Sequence, residues 1–282
     1  ATARARTDEE AWGVNHVSDS ISVGDLRTGH VSATLQTSDE PYDVVFAGTP
    51  ERAYVSCSQG NEVLVFDPSD VGLAPTSIPI EGEEPRALAV TPAGPRVLVA
   101  VFESGNGSTI LGGGLAATGT LALPNVVSDP LGPYGGQNPP PNDGVGFQPQ
   151  IASGLPTPPP VGLIVKKNDA GRWMDDNGGD WTDLVSGPHA ARSGRPVGWD
   201  VVDNDIAVID TGTGAVTYVE RLMNLCMAIG VNPGTGEVTL VGTDATNEVR
   251  FEPNLEGVFL RVLLARVDLG AGTNSVGDLN PH

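Results

Sequence analysis

Cysteine is nearly absent: the 282 residues hold two, Cys57 and Cys226. So few exclude a disulfide-built scaffold, and without CxxC spacing they exclude the usual zinc and redox motifs. No CxxCH occurs, so no haem is attached covalently to this chain. Basic residues are scarce too, 15 Lys and Arg against 35 Asp and Glu, for a net charge of −20. That balance excludes a nucleic-acid backbone as partner, because phosphate contacts need a basic stripe. It fits an acidic, solubilising surface of the kind secreted proteins carry, or a set of Ca²⁺ sites among the acids. No apolar run approaches the roughly 18 residues that span a bilayer. The longest apolar-leaning segment, "RALAVTPAGPRVLVAVF", is broken by Pro92, Gly94 and Pro95 into two strands and a turn. HExxH, GxSxG, a Walker loop and a strand-to-helix GxGxxG are all missing, so no catalytic residue is predicted. The N-terminal "ATARARTDEE" has no apolar targeting segment. It fits a mature terminus left by signal-peptide removal, or an arbitrary boundary.

What the chain does have is turns and repetition. Glycine at 37 and proline at 24 favour many turns over long helices. "WGVNHVSDSISVGDLRTGHVSATL" (Trp12 to Leu35) aligns with "AYVSCSQGNEVLVFDPSD" (Ala53 to Asp70), placing Asp25 on Asp67, 42 residues on. "EPYDVVFAGTPERAYVS" aligns with "EPRALAVTPAGPRVLVA", placing Pro41 on Pro85, 44 residues on. "DIAVIDTGTGAVTYV" and "CMAIGVNPGTGEVTLVGTDATNEVRF" repeat parts of the same unit, so that "NEV" at Asn61 and Asn247 both open a third strand. Alternation along "ISVGDL" and "EVLVFD" has the period of two of half-buried strands. Four strands in 42 to 44 residues make a propeller blade, with a β-sandwich as the structural alternative.

The segments "AYVSCSQGNEVLVFDP", "WGVNHVSDSISVGDLRTG" and "EPRALAVTPAG" resemble the YVTN-type β-propellers of bacterial and archaeal surface and secreted proteins. Likeness is strongest to large secreted bacterial propeller proteins with a long insertion containing a stretch like "VGLIVKKNDAGRWMDDNGGDW" (Val161 to Trp181). The resemblance covers about two-thirds of the chain. It implies an all-β propeller fold and says little about activity. It also implies that further blades follow a segment like "DLNPH", so that His282 is not the natural end.

Five blade-like units are expected, at about 10–37, 38–82, 83–122, 195–222 and 223–265, the third and fourth incomplete. The domain organisation follows: blades one to three in 1–122, an insertion in 123–194, blades four and five in 195–265, and a linker or further blade in 266–282. The ring would be completed by missing sequence or by another chain, since open edges invite association. Residues 123–160 hold eleven prolines, including "NPPPN" and "TPPPV", and predict loop or polyproline II. They read either as a spacer or as a partner-docking arm. Trp173, Trp181 and Trp199 then predict a small satellite core, with a ligand-stacking platform as the alternative.

The candidate metal site is Asp175, Asp176, Asn177, Asp180 and Asp183, whose oxygens and nearby glycines suit Ca²⁺ but lack the EF-hand pattern. A solvated acidic turn is the plainer reading of the same residues. Asp200, Asp203, Asn204 and Asp205 read as the turn before "IAVID". His16, His30, His189 and His282 show no spacing that converges on zinc. Cys57 ends a second strand and Cys226 starts an innermost one, so both belong near one rim as buried free thiols or a disulfide.

Three functions fit these features. The first is a secreted or cell-surface scaffold, binding a protein or polymer partner through blade-face loops and the insertion. The second is a propeller subunit of a periplasmic or extracellular redox assembly, cytochrome- or quinone-associated. The third is a surface-layer or filament component with Ca²⁺ bridging.

Overall fold

A computed structural model describes residues 2–92, 94–116, 118–120, 123–141, 159–247 and 258–280. Among these, helix is confined to four pieces of three or four residues, and α1 (Thr182–Val185) is the one α-helical piece. Everything else regular is strand. The chain divides into two compact units. The first comprises Ala1–Asn106, Val202–Thr243 and Val262–Leu279; the second comprises Gly107–Val201, Asp244–Arg261 and Asn280–His282.

Four antiparallel sheets of four strands make up the first unit. Sheet one is β1 (Ala3–Ala5), β2 (Glu10–Asn15), β3 (Ser20–Asp25) and β4 (His30–Gln36); sheet two is β5 (Pro41–Ala47), β6 (Arg52–Cys57), β7 (Glu62–Phe66) and β8 (Thr76–Pro79). Sheet three starts with β9 (Glu83–Val90) and β10 (Arg96–Glu103). The chain then departs to make β11 (Ser108–Leu111), β12 (Leu163–Lys167) and β13 (Trp173–Met174), a separate three-stranded sheet in the second unit. It returns as β14 (Ile206–Asp210) and β15 (Val216–Val219), which complete sheet three. Sheet four is β16 (Leu225–Val231), β17 (Val238–Ala245), β18 (Leu260–Asp268) and β19 (Thr273–Asp278).

Alternation of side chains explains why the sheets need one another. Along β10, Leu98 and Ala100 enter one core, while Val97, Val99 and Val101 enter another. Its partner β14 does the same, sending Ile206 and Val208 to the first and Ala207 and Ile209 to the second. The first of these cores joins sheet three to sheet four through Cys226, Leu240, Leu263 and Ala265. The second joins it to sheet two through Val45, Tyr54 and Val63. A third core, centred on Trp12, Val44, Val55 and Cys57, joins sheets one and two. Every fully buried Val, Leu or Ile side chain here contributes about 1.5–3 kcal/mol. Successive four-stranded meanders packed face to face in sequence order are the blades of a β-propeller. The chain is therefore an all-β propeller protein.

The structure differs from the expected blade count in three places. Segments 83–122 and 195–222 are not two incomplete units: β10 pairs with β14 from Arg96↔Asp210 to Ala100↔Ile206, making one sheet. Sheet one gains an innermost strand, β1, ahead of residue 10. Residues 266–278 are no linker, because they complete β18 and supply β19. The third strand of sheet four is Leu260–Asp268, whereas Asn247 follows the second strand; residues 248–257, where "NEVRF" continues, lie outside the described residues. Residues 142–158 of the proline-rich segment lie outside them too.

One device recurs at the end of every third strand: Asp25, Asp67, Asp210 and Asp268 each accept backbone N–H groups of the following turn. The bonds hold all four carboxyls below their ordinary value of 3.8. The leading donors are the Arg27 N–H for Asp25, the Ser69 hydroxyl for Asp67, the Thr213 hydroxyl for Asp210 and the Ala271 N–H for Asp268. A depressed folded-state pKa stabilises the fold above the unfolded value and loses that contribution as pH falls through the folded value. Acid denaturation should therefore set in below about pH 4, with carboxyl protonation leading it. Circular dichroism against pH checks this, and a stability maximum below pH 3.8 would contradict it.

Candidate functional site

The connection between second and third strands is short in sheets one and two and long in sheets three and four. It is residues 16–19 in sheet one, 58–61 in sheet two, 104–205 in sheet three and 246–259 in sheet four. The second unit is drawn from the two long ones. Side-chain latches join the connections of sheets one, two and three to the entry of the next sheet. The Glu40 N–H donates to Asp19 Oδ1 (3.0 Å), the Glu84 N–H to Asn61 Oδ1 (3.0 Å) and the Arg221 N–H to Asp203 Oδ1 (3.4 Å). Glu40, Glu84 and Arg221 all have positive φ, at 55°, 58° and 66°. That conformation costs non-glycine residues energy and persists only where neighbours hold it, as these latches do.

Beside the latches lies a cation–aromatic stack. The Arg86 guanidinium covers the Phe102 ring at 3.6 Å and the Tyr42 ring at 5.5 Å, and it is ion-paired to Glu84. His16 meets Tyr42 edge-on at 6.2 Å, lies 3.7 Å from a Glu40 oxygen, and approaches the Pro41 carbonyl at 3.2 Å. Arginine and aromatic side chains packed this way are the groups that dominate protein recognition surfaces. Periodicity locates these strands but not this stack, which is assembled from three sheets.

The second unit has its own core. Trp173 and Trp181 are each 1% exposed and pack with Leu111, Leu163, Val165 and Leu184, while Trp199 lies on Trp173 at 5.3 Å. The tryptophans thus form the small core; the two buried ones offer no stacking platform. Asp175 is the polar centre of this core. Its carboxylate accepts from the N–H groups of Asn177 (2.9 Å) and Gly179 (2.8 Å), the Tyr134 hydroxyl (3.0 Å) and the Trp181 indole (2.7 Å).

The other residues expected to offer oxygens to Ca²⁺ each meet a protein partner. Asp176 accepts from the Asn247 N–H (2.7 Å), and Asp180 takes Thr182 and Arg172. Asp183 takes His189 (2.7 Å), and the Asn177 amide points to the Pro141 carbonyl. Among the described residues no three His, Cys, Asp or Glu side chains are grouped to hold a metal ion. The acids Asp175, Asp176, Asp180 and Asp183 face protein donors rather than one another. Asn247 joins them, its amide exchanging two hydrogen bonds of 2.8 Å with the Ile164 backbone.

The second acidic group also disperses. Asp200 pairs with Lys167, Asp203 serves a latch, and the Asn204 amide reaches the Glu81 carbonyl. Asp205 is wholly buried. The Leu222 N–H (2.9 Å) and Met223 N–H (3.1 Å) donate to it, and the Ser104 hydroxyl (3.0 Å) and Cys226 thiol (3.4 Å) lie against it. Burial pushes its pKa up, against the pull of those two N–H groups.

Cys57 and Cys226 do not pair. Both are free and fully buried, Cys57 in the core of sheets one and two and Cys226 in that of sheets three and four. Burial pushes the Cys57 thiol up to about 11, and burial together with Asp205 pushes Cys226 up as well. Only thiolates react rapidly. Native protein at pH 7.5 should therefore resist iodoacetamide, and unfolded protein should take up two labels. Rapid native labelling seen by mass spectrometry would contradict the burial.

No protein-family profile and no curated protein sequence matches the chain. Similar solved structures include hydrazine synthase of Kuenenia stuttgartiensis, at 13% identity and TM-score 0.42, over 96% of this chain and 62% of that one. The chain thus spans under two-thirds of that protein's length. Virginiamycin B lyase of Staphylococcus aureus aligns at 11% identity and TM-score 0.35, over 99% and 70%. A putative 6-phosphogluconolactonase of Bacteroides uniformis aligns at 12% and 0.37, over 98% and 68%. Scores this low carry no argument about function, and the propeller assignment rests on the sheets themselves.

Proposed function

We propose that this chain is a YVTN-type propeller scaffold of the cell surface or secreted space, binding a protein or polymer partner. One observation carries the reading: the same connection, between second and third strands, is enlarged in two adjacent sheets into a unit with its own core. Building such a unit on loops of a rigid framework is the usual way proteins acquire recognition surfaces. The Arg86, Tyr42 and Phe102 stack supplies anchor groups beside the equivalent connections of the other sheets. In the same reading, further sheets of this repeat, in this polypeptide or another, stack on sheet four. The residues they would cover are Val241 and Leu264, which alternate with the core residues Leu240 and Leu263 and are half-buried.

The test is affinity capture on the immobilised chain from an envelope fraction, repeated with Arg86→Ala. A stoichiometric partner retained by the parent chain and lost with the variant is the expected result. No partner, or one indifferent to Arg86, would contradict the reading.

A further inference from the structure

Repetition within the molecule exposes one place where an ion pair is left open. In sheet two, Arg52 starts the second strand and Asp67 follows the third, one step beyond the Ala53↔Phe66 pair. The two close an ion pair of 3.2 Å. In sheet three the corresponding residues, Arg96 and Asp210, are register partners, yet no ion pair forms between them. Among the described residues the Arg96 guanidinium has neither a hydrogen bond nor an ion pair.

Arg96 instead lines a groove between sheets three and four. Two adjoining cavities of about 430 and 400 Å³ share Arg96, Asp210, Asp268 and Leu269 as walls. That is the size range of small-ligand sites. The two aspartates are pre-oriented. Asp210 spends Oδ1 on the Gly212 N–H and on Thr213, and Asp268 spends Oδ1 on the Gly270 and Ala271 N–H groups. Each Oδ2 has no partner among the described residues. Tyr218 adds an aromatic wall, and its hydroxyl accepts the Glu81 N–H at 2.8 Å, which holds the ring in place.

We propose that this groove binds a neutral, polyhydroxylated ligand, a short saccharide or the end of a glycan chain. Two carboxylates oppose an anion, and the guanidinium opposes a cation. Vicinal hydroxyls, which both donate and accept, satisfy all three groups at once. The apolar walls Val219, Leu269 and Tyr218 suit the C–H faces of a sugar ring. The proposal rests on the scaffold reading above and names the polymer class that one of its grooves takes.

The probes are maltotriose, cellotriose, chitotriose and, as the anionic arm, trigalacturonic acid. Binding is followed on ¹⁵N-labelled full chain by amide shifts and by calorimetry. At least one neutral trisaccharide is expected to shift the amides of Ala215, Thr217 and Gly272. Arg96→Ala should weaken it roughly tenfold or more, as expected for losing a charge-assisted hydrogen bond. Asp268→Asn keeps an oxygen to cap the turn while removing the Oδ2 acceptor, and should likewise weaken binding; unchanged affinity would overturn the proposal. The proposal is overturned if no neutral sugar binds at millimolar concentration, if shifts map outside the groove, or if trigalacturonic acid binds best. Loss of sugar binding with partner capture intact sinks only this proposal; loss of capture with sugar binding intact sinks only the scaffold reading.

Discussion

Trp12→Ala is expected to cost about 3–5 kcal/mol of folding stability, the range for deleting a fully buried tryptophan. Trp12 is 0% exposed and touches the rings of Phe46 at 5.6 Å and Phe66 at 6.1 Å, both edge-on. Phe46 and Phe66 belong to sheet two, so the side chain is the largest member of a core that sheets one and two share with Val14, Ile21, Val44 and Val55. Its indole N–H is satisfied by Glu10 at 2.9 Å, which removes the penalty a buried donor would otherwise carry. Truncation leaves a cavity where both sheets are held by their own ladders and cannot close on it. Urea denaturation should show a lower midpoint at unchanged slope. A loss under about 1 kcal/mol would mean the two sheets do not depend on this core.

Asp205→Ala should be of similar severity for a different reason. The carboxylate is the acceptor for two buried N–H groups, those of Leu222 and Met223, at the junction of sheets three and four. Leaving each unpaired costs about 1–3 kcal/mol, roughly 2–6 together. Asp205→Asn retains one acceptor oxygen and should lose about half as much. The pH signature is opposite to that of the turn aspartates. A raised folded-state pKa means Asp205 disfavours the fold once ionised, so its contribution declines as pH rises through its folded-state value. The Asn variant should therefore show a smaller decline with rising pH there than the parent. If both variants were neutral, the junction would not depend on this residue.

Much of the fold is legible in the sequence because blade turns repeat their chemistry. Asp25 and Asp67 lie 42 residues apart and each caps the turn that follows, as Asp210 and Asp268 do again. The pairing of β10 with β14 is not legible. Local periodicity has no means of reporting that Arg96 and Asp210, separated by an entire second unit, are neighbours. Nor does "ARA" at Ala3–Ala5, exposed throughout, carry the apolar alternation that would mark it as a strand. The acid-rich loop at Asp175 is ambiguous in sequence for another reason. Carboxylates awaiting a cation and carboxylates capped by protein donors have the same local sequence. What decides between them is Tyr134, 41 residues earlier, and the Trp181 indole. Arg96 shows the converse: its interest appears only beside Arg52, the same position in another sheet with its ion pair closed.

Segments on either side of the second unit in sequence form a single blade. Arg96→Cys combined with Asp210→Cys tests this directly, because register partners in antiparallel strands have Cα atoms within disulfide reach. Cys57 and Cys226 are buried and do not compete. Under mild oxidation of the folded protein, peptide mapping should recover the 96–210 cross-link in high yield and each single variant should give none. A folded double variant that keeps both new thiols free would show that these strands belong to different sheets.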